Sequence, residues 1–385
     1  MKFPFFLRSD QLEALYQLNE NDHLIYIAAT GSGKSIVFQK FISDHPSTRA
    51  ILISPLNALS RQQAERFKKL GIAVFQEVAP KYNEVGVWIL SPEKLQGRTL
   101  EDLVEWKPDF LVIDEAHCIW DWGREFRPAY LKTLELVKLP SIQKTLWCSA
   151  TLPPTSLEHL IAHLRGLGRN QIKVLGKFEL PLQLHLQSEK ILPEIRLNWT
   201  RNRLGLYADQ CGMIFCNTRG AAESLQKYLE QWGVKSFFYH AGLSVEEKLN
   251  LEEQLKQQKD SSQPVVVVAT SAFGMGMDYS FFQFCILFEP PFSILALVQA
   301  IGRVGRRSTG SHQIKARAHV LWHPLDFARN QSWIDQTDVY EWCRTLENPV
   351  RHLENYFNGH SISGTIKGDE RPHFHQHSDR STGLD

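Results

Sequence analysis

A chain of 385 residues, 43% hydrophobic and 22% charged, has the composition of a soluble globular protein and room for two domains and an appendage. Its net charge of +1 leaves no chain-wide basic field, so an anionic polymer would have to be met by local positive charge. Six scattered cysteines without a Cys-x-x-Cys pair argue for reduced, buried thiols rather than a disulfide framework. No apolar run approaches the ~18 residues of a membrane span, and Pro4, Arg8 and Asp10 interrupt the apolar N-terminus, so a cytoplasmic protein with no membrane partner is expected.

Arg8-x-x-Gln11 precedes a helix-like segment around Leu12–Leu18. The strand-like run Leu24–Ile27 leads into Ala28-Ala29-Thr30-Gly31-Ser32-Gly33-Lys34-Ser35 and then an amphipathic Ile36–Phe41. This strand, Gly-rich turn and helix reads as a phosphate loop. Its glycines let successive N–H groups turn onto an anion, and the following helix presents its positive end. Lys34 is placed to neutralise β- and γ-phosphates, and the Ser35 hydroxyl to ligate Mg²⁺. Ala28 stands where the pattern has its first glycine.

Arg49–Ile53 is a second strand, running into Ser54-Pro55-Leu56, with a polar helix over Ser60–Leu70. Val87–Leu90 followed by Ser91-Pro92-Glu93 repeats the design. In an open α/β sheet, ligands lie beyond the carboxyl ends of the strands, which sets both Ser-Pro loops on the phosphate-loop side. Ser-Pro also simply stops a strand and starts a helix, and both readings stand. The apolar Phe110–Ile113 delivers Asp114 and Glu115 to that same edge, about eighty residues past the phosphate loop. A hard cation bridging phosphates takes one or two carboxylates plus water, which fits Asp114 as the metal ligand and Glu115 as the base that orients water. Thr145–Thr151 is a further strand, ending in the hydroxyls of Ser149 and Thr151, which either sense the nucleotide or cap the strand.

From Gly176 to about Arg203 the composition is mixed, and the domain junction is placed there. Strands and helices then alternate again. Strands are read at Cys211–Cys216, Val234–Tyr239, Pro264–Thr270 and Phe284–Phe288, with helices at Ala221–Trp232 and Ala296–Ile301. No second phosphate loop appears. In its place Gln299 leads into Gly302-Arg303-Val304-Gly305-Arg306, a Gly-spaced arginine pair suited to reach a γ-phosphate across a cleft and stabilise its transition state.

These segments resemble the RecQ family of superfamily-two DNA helicases. The resemblance runs in order through Arg8-x-x-Gln11, Thr30–Ser35, Ser54-Pro55-Leu56, Ser91-Pro92-Glu93, Asp114–Ile119 and Trp122-Gly123-x-x-Phe126-Arg127-Pro128-Ala129-Tyr130. It continues through Ser149–Thr151, Tyr239–Leu243, Ala272-Phe273-Gly274-Met275-Gly276-x-Asp278 and Gln299-x-x-Gly302-Arg303-x-Gly305-Arg306. It covers about residues 6 to 307, and the Trp122–Tyr130 and Ala272–Gly276 segments are its more specific parts. The resemblance implies an α/β fold of two RecA-like domains, residues 1–176 and 177–328, closing on ATP and Mg²⁺, with residues 329–385 as a helical remnant and a polar tail expected to be disordered. It implies that Gln11 and Arg8 contact the adenine. It places Thr30, Gly31, Ser32, Gly33, Asp278 and Gln299 around the nucleotide, and Ser54, Asn217 and His240 along single-stranded or 3′-tailed DNA. Trp122, Phe126 and Arg127 would couple DNA to hydrolysis, which agrees with aromatic faces that stack bases and arginines that grip phosphate. Trp120 reads equally well as a core aromatic.

The chain departs from the family at Trp120-Asp121, where a Ser-Gln pair is usual, at Arg124-Glu125, where His-Asp is usual, and at Arg307-Ser308 in the last motif. Glu341–Phe357 resembles the helical start of a zinc subdomain, but Asn348 stands where a ligand cysteine would be. Zinc is therefore not expected, and the strand-separating hairpin usual in the family is expected to be absent or supplied by a protein partner. The expectation is an ATP-dependent DNA helicase or translocase moving 3′ to 5′, in replication, recombination or repair. The alternatives are a DNA-stimulated ATPase subunit of a larger DNA-processing or defence complex and, less in keeping with Trp122–Tyr130, an RNA helicase.

Overall fold

The computed structural model describes residues 6–55, 57–121, 128–180, 183–258, 263–271, 273, 281–305, 315–329, 336–345 and 348–359. The first part runs α1 (Ser9–Glu20), β1 (His23–Ile27), α2 (Lys34–Asp44), β2 (Arg49–Ile53), α3 (Asn57–Lys69), β3 (Val74–Phe75), β4 (Gly86–Leu90), α4 (Arg98–Trp106), β5 (Phe110–Ile113), α5 (Cys118–Asp121), β6 (Lys144–Ser149), α6 (Pro154–Gly166) and β7 (Ile172–Gly176). Its seven strands form one parallel sheet in the order β3-β4-β2-β5-β6-β1-β7.

A parallel sheet is buried on both faces, so its central strands are apolar throughout and alternate residues serve opposite layers. Leu24 and Tyr26 of β1 join Leu52, Val112 and Leu146 beneath α1, α2 and α3, packing on Leu18, Phe38 and Phe67. Ile25 and Ile27 join Ile51, Ile53, Ile113 and Trp147 in the opposite layer, with Trp106 of α4 and Leu160 of α6. Burying each such side chain contributes about 1.5–3 kcal/mol.

The second part runs β8 (Leu184–Lys190), α7 (Arg196–Leu206), β9 (Gly212–Phe215), α8 (Arg219–Gln231), β10 (Ser236–Tyr239), α9 (Val245–Gln258), β11 (Val266–Ala269), β12 (Phe284–Leu287), α10 (Ile294–Ile301), β13 (Ala316–Trp322), α11 (Pro324–Arg329), α12 (Gln336–Arg344) and α13 (Pro349–Phe357). Its sheet is again parallel, in the order β10-β11-β9-β12-β13-β8. One layer sets Ile214, Val268 and Ile286 against Leu225 and Leu229 of α8. The other sets Met213, Val267 and Cys285 against Leu255 of α9, and it takes in Trp342 of α12 with Leu353 and Phe357 of α13. The C-terminal helices that the sequence sets apart as a remnant therefore share the second sheet's core. Asn348, compared above with a ligand cysteine, caps α13 by accepting a hydrogen bond from the Arg351 backbone N–H at 3.1 Å.

Because every strand is parallel, all carboxyl ends of a sheet share an edge. In the first sheet this brings residues 28–35, Ser54, Ser91, Asp114 and Ser149 together. In the second it aligns Asn217, His240, Ser271 and Glu289.

Candidate nucleotide site

The phosphate loop turns through Gly31 and Gly33, both in the left-handed region (φ 75° and 71°). A side chain at Gly33 would meet the Gln11 amide at 2.7 Å, so the loop needs glycine there for conformation and for space. Gln11, 2% exposed, donates from Nε2 to the carbonyl oxygens of Ser32 (2.9 Å) and Gly33 (3.4 Å) while its Oε1 accepts from the Arg8 backbone N–H at 3.0 Å. Arg8 also donates to the Ser32 carbonyl and pairs with Asp10 at 3.0 Å. These two residues strap the outside of the loop. Lys34 opens α2 and is 8% exposed, its Nζ donating to the carbonyls of Ala28 (2.9 Å) and Ala29 (3.3 Å). The buried Ser32 hydroxyl has no partner. The Ser35 hydroxyl accepts from Arg66 Nη1 at 3.3 Å.

Asp114 and Glu115 end β5 on the same edge. The Asp114 backbone N–H donates to Ile53, and Ala116 N–H to Cys148, pinning the turn to both neighbouring strands. Glu115 sits at φ 53°, uncommon for any residue but glycine and a local strain of about 1–3 kcal/mol that the flanking pairing must hold. Burial and the adjacent Glu115 push the Asp114 carboxyl up to about 7, against the opposing charges of Lys34 and Arg66. Two crowded carboxylates and a nearby serine hydroxyl fit a divalent cation shared with phosphates. Among the described residues no group of three or more His, Cys, Asp or Glu could hold a metal ion; at this edge Ser35 and Asp114 are the side chains that could take part in holding Mg²⁺ with phosphates and water.

His117 continues the turn, 4% exposed. Ser149 Oγ gives its proton to the Thr151 carbonyl (2.9 Å) and accepts from Thr151 N–H (3.1 Å). His117 Nδ1 lies 3.1 Å from the same Oγ, and its Nε2 lies 3.4 Å from the Cys118 sulfur. Burial holds His117 neutral, with its basicity below the ordinary range. The same Nδ1 lies 3.4 Å from Glu115 Oε2. The Ser149 hydroxyl that ends β6, itself held by the Thr151 backbone, is thus set beside Glu115 through one imidazole.

In the second sheet, Asn217 N–H donates to Glu289 Oε2 (3.0 Å) and Asn217 Nδ2 to the Pro290 carbonyl (2.8 Å), tying the ends of β9 and β12 together. An open cleft lies beside them, lined by Phe215, Asn217, Phe273, Glu289, Gln299 and Arg303 among others. The Gln299 Nε2 is buried without a partner. The C-terminal end of α10 carries this edge to the first domain: a Cβ on Gly302 would lie 3.8 Å from the Thr30 hydroxyl, and the charge of Arg303 is felt at His117.

Known proteins place this pair of sheets. The DEAD/DEAH box helicase family matches residues 8–160, and the helicase conserved C-terminal domain matches residues 198–308. The ATP-dependent DNA helicase RecQ of Haemophilus influenzae is 32% identical over 353 residues, covering 88% of this chain and 53% of that protein. The chain belongs to the RecQ family of superfamily-two helicases. It spans about half the length of the first curated RecQ relatives it matches. Solved structures share the fold of two RecA-like domains in tandem. Saccharomyces cerevisiae Dbp5 bound to RNA and ADP BeF3 aligns with a TM-score of 0.60 at 17% identity, covering 90% of this chain and 93% of that one. Mycobacterium smegmatis helicase Lhr bound to ssDNA and AMP-PNP aligns with a TM-score of 0.60 at 21% identity, covering 86% and 50%.

Within this RecQ-family frame the structure gathers Lys34, Ser35, Asp114 and Glu115 at one edge and turns Arg303 towards them. Arg8 and Gln11, expected at the adenine, hold the loop's carbonyls. Ser54, expected along DNA, is 0% exposed with its hydroxyl unpartnered. His240 is 5% exposed, its Nε2 lying 2.9 Å from Glu223 Oε1. Asn217 is held by its bonds to Glu289 and Pro290. Trp122, Phe126, Arg127, Asp278 and Arg306 lie outside the described residues. Arg66 escapes a reading by motif. A helical spacing that buries Gln63 and Phe67 would have put it one turn along from Gln63, whose Oε1 accepts from Gln39 of α2 at 2.7 Å.

Proposed function

We propose that this chain is an ATP-dependent DNA helicase or translocase that moves 3′ to 5′ on single-stranded DNA. The observation that carries the reading is His117 set between Glu115, beside Asp114, and the Ser149 hydroxyl held by the Thr151 backbone, next to a phosphate loop and within reach of Arg303's field. Bound Mg²⁺ would neutralise the β- and γ-phosphates. Lys34 would leave the carbonyls of Ala28 and Ala29 for phosphate oxygens, and Glu115 would orient the attacking water. Arg303, with Arg306, would stabilise charge on the transferring phosphoryl group from the second domain. Gln11 and Arg8 would report adenine occupancy to the loop they strap, Thr30 and Gln299 would face each other's domain across the nucleotide, and Asp278 would join them.

DNA would run over the loops that end in Ser54, Asn217 and His240 and over the segment of Trp122, Phe126 and Arg127, where stacking and phosphate contacts bind without reading sequence. Protein partners would supply any further strand-separating module, and the work would lie in DNA recombination or repair. Among the described residues no helix is long and apolar enough to cross a membrane. Hydrolysis measured without polynucleotide, with single-stranded DNA and with RNA, followed by unwinding of 3′- and 5′-tailed duplexes, tests the reading. Stimulation by DNA and preference for the 3′ tail are expected. Equal stimulation by RNA would overturn the substrate, and strong stimulation without strand separation would make the chain a DNA-stimulated ATPase instead. Trp122→Ala and Arg127→Ala should lose DNA stimulation while basal nucleotide binding persists.

A further inference from the structure

Arg66 projects from α3 to the first turn of α2, where its Nη1 donates to the Ser35 hydroxyl at 3.3 Å. Its charge, with that of Lys34, also acts on the Asp114 carboxylate. One of the two side chains assigned above to Mg²⁺ is therefore already bonded to a guanidinium whose charge also reaches the other. Lys34, the other cation here, acts on Asp114 more strongly than Arg66 does and donates to the carbonyls of Ala28 and Ala29. The helix face that presents Arg66 is anchored one turn earlier by the buried Gln63–Gln39 hydrogen bond of 2.7 Å and by Phe67 packed on Phe38. The arginine is consequently aimed at the loop rather than adrift in solvent.

A serine oxygen has two lone pairs and can accept from a guanidinium, but a guanidinium and a divalent cation on the same oxygen repel each other strongly in a partly buried site. A nucleotide phosphate, in contrast, is a better partner for arginine than a hydroxyl, because the planar fork meets two oxygens at once. We propose that Arg66 is a positioning residue of the nucleotide site that stands in for the metal: it holds Ser35 and offsets Asp114 while the site is without Mg²⁺, and it gives way when metal and nucleotide arrive. The proposal rests on the nucleotide-site reading above. It has two consequences for this chain. Metal-free nucleotide is tolerated, because a cation already faces the phosphates. Metal must compete with Arg66, so more Mg²⁺ is needed than the carboxylate and hydroxyl alone would require.

The test is binding of a fluorescent N-methylanthraniloyl-ADP to the full chain, first in EDTA and then across a Mg²⁺ titration, for wild type, Arg66→Gln and Arg66→Lys, with thermal melts to establish folding. Arg66→Gln should bind the metal-free nucleotide about tenfold more weakly, the loss expected for one charge-assisted contact. The Mg²⁺ concentration giving half-maximal tightening should fall severalfold. Arg66→Lys, which keeps the charge and loses the fork, should fall between on both readouts and serves alone if the glutamine variant does not fold. Unchanged EDTA binding and an unchanged Mg²⁺ requirement would overturn the proposal, as would a Mg²⁺ requirement that rises in either variant, since Arg66 would then support the metal ligands. Wild-type chain that binds no nucleotide even with Mg²⁺ would overturn the nucleotide-site reading itself. Wild-type binding with variants equal to it overturns only the role of Arg66.

Discussion

The two parallel sheets have matched strand logic and different carboxyl edges. At the first edge, glycines at positive φ open a loop of inward N–H groups, a lysine starts the next helix, and a strained acidic turn crowds two carboxylates. At the second, the corresponding loops close on each other: Asn217 donates its N–H to Glu289 and its side-chain amide to Pro290, and the cleft beside them has aromatic walls. The first edge holds polar groups in reserve for a ligand, as the unpartnered Ser32 and Ser54 hydroxyls show. The second ties Asn217 to its own strand ends, leaves the Gln299 amide and His240 Nδ1 unpartnered, and lines its cleft with Arg303. On the proposed reading, a common architecture makes one half a nucleotide holder and the other a responder, and side chains at strand ends make the difference.

If that division is right, the largest loss comes from the holder's base. Glu115→Gln should bind ATP as wild type does and lower DNA-stimulated turnover by about 10²–10⁴-fold. Rapid-quench hydrolysis alongside equilibrium ATP binding separates the two. Retained turnover would mean that Glu115 is only part of the strained turn. Arg303→Ala should cost about 10³-fold in turnover with ATP affinity little changed, because the responder acts on the transition state. A loss confined to affinity would move Arg303 into the holder. His117→Ala, which cuts the wire between Ser149 and Glu115, should reduce stimulation by DNA more than basal hydrolysis, by about tenfold. The ratio of the two rates is the readout, and equal loss of both would reduce His117 to packing.

The parts of this division that a motif carries were legible in the sequence. Lys34, Ser35, Asp114 and Glu115 sit at fixed offsets from strands that periodicity identifies, and parallel pairing sets them at one edge, while Arg303 follows α10 in the second part. Contacts between remote segments were not legible. Gln11 as a strap on the phosphate loop, Arg66 on Ser35, and Asn217 closing on Glu289 depend on how α1, α3 and β12 pack, which no local pattern encodes. The strands β7 and β8 were missed because they are sheet edges, half-exposed and mixed in composition, so they lack the apolar run that marked β5 or β11. The helices α12 and α13 read from sequence as an appendage because Glu341–Phe357 resembles the start of a zinc subdomain. Only the packing of Trp342, Leu353 and Phe357 shows that they complete the second core.

The smallest expected effect compares the sheets' interiors rather than their edges. Each buries one neutral histidine on a strand: His23 shares a 2.9 Å hydrogen bond with Thr145, and His319 one of 2.7 Å with Tyr207. Burial pushes His23 down to about 4 and His319 to about 3, the latter helped by the positive charges of Arg203 and Arg317 and by His185. A histidine depressed on folding takes up its proton only when unfolded, so the stability it permits is present above its unfolded value and is lost as pH falls towards the folded one. For His319 that window runs from about 6.5 down to about 3. Between pH 6.5 and 5 the loss reaches at most about 2 kcal/mol. His319→Gln keeps an acceptor for Tyr207 and removes the titration. Calorimetric melts should show it less stable than wild type at pH 7, through lost packing at a fully buried site, but with a smaller drop between pH 7 and 5. An undiminished drop would place the acid sensitivity of this chain elsewhere, with His23 the next to replace.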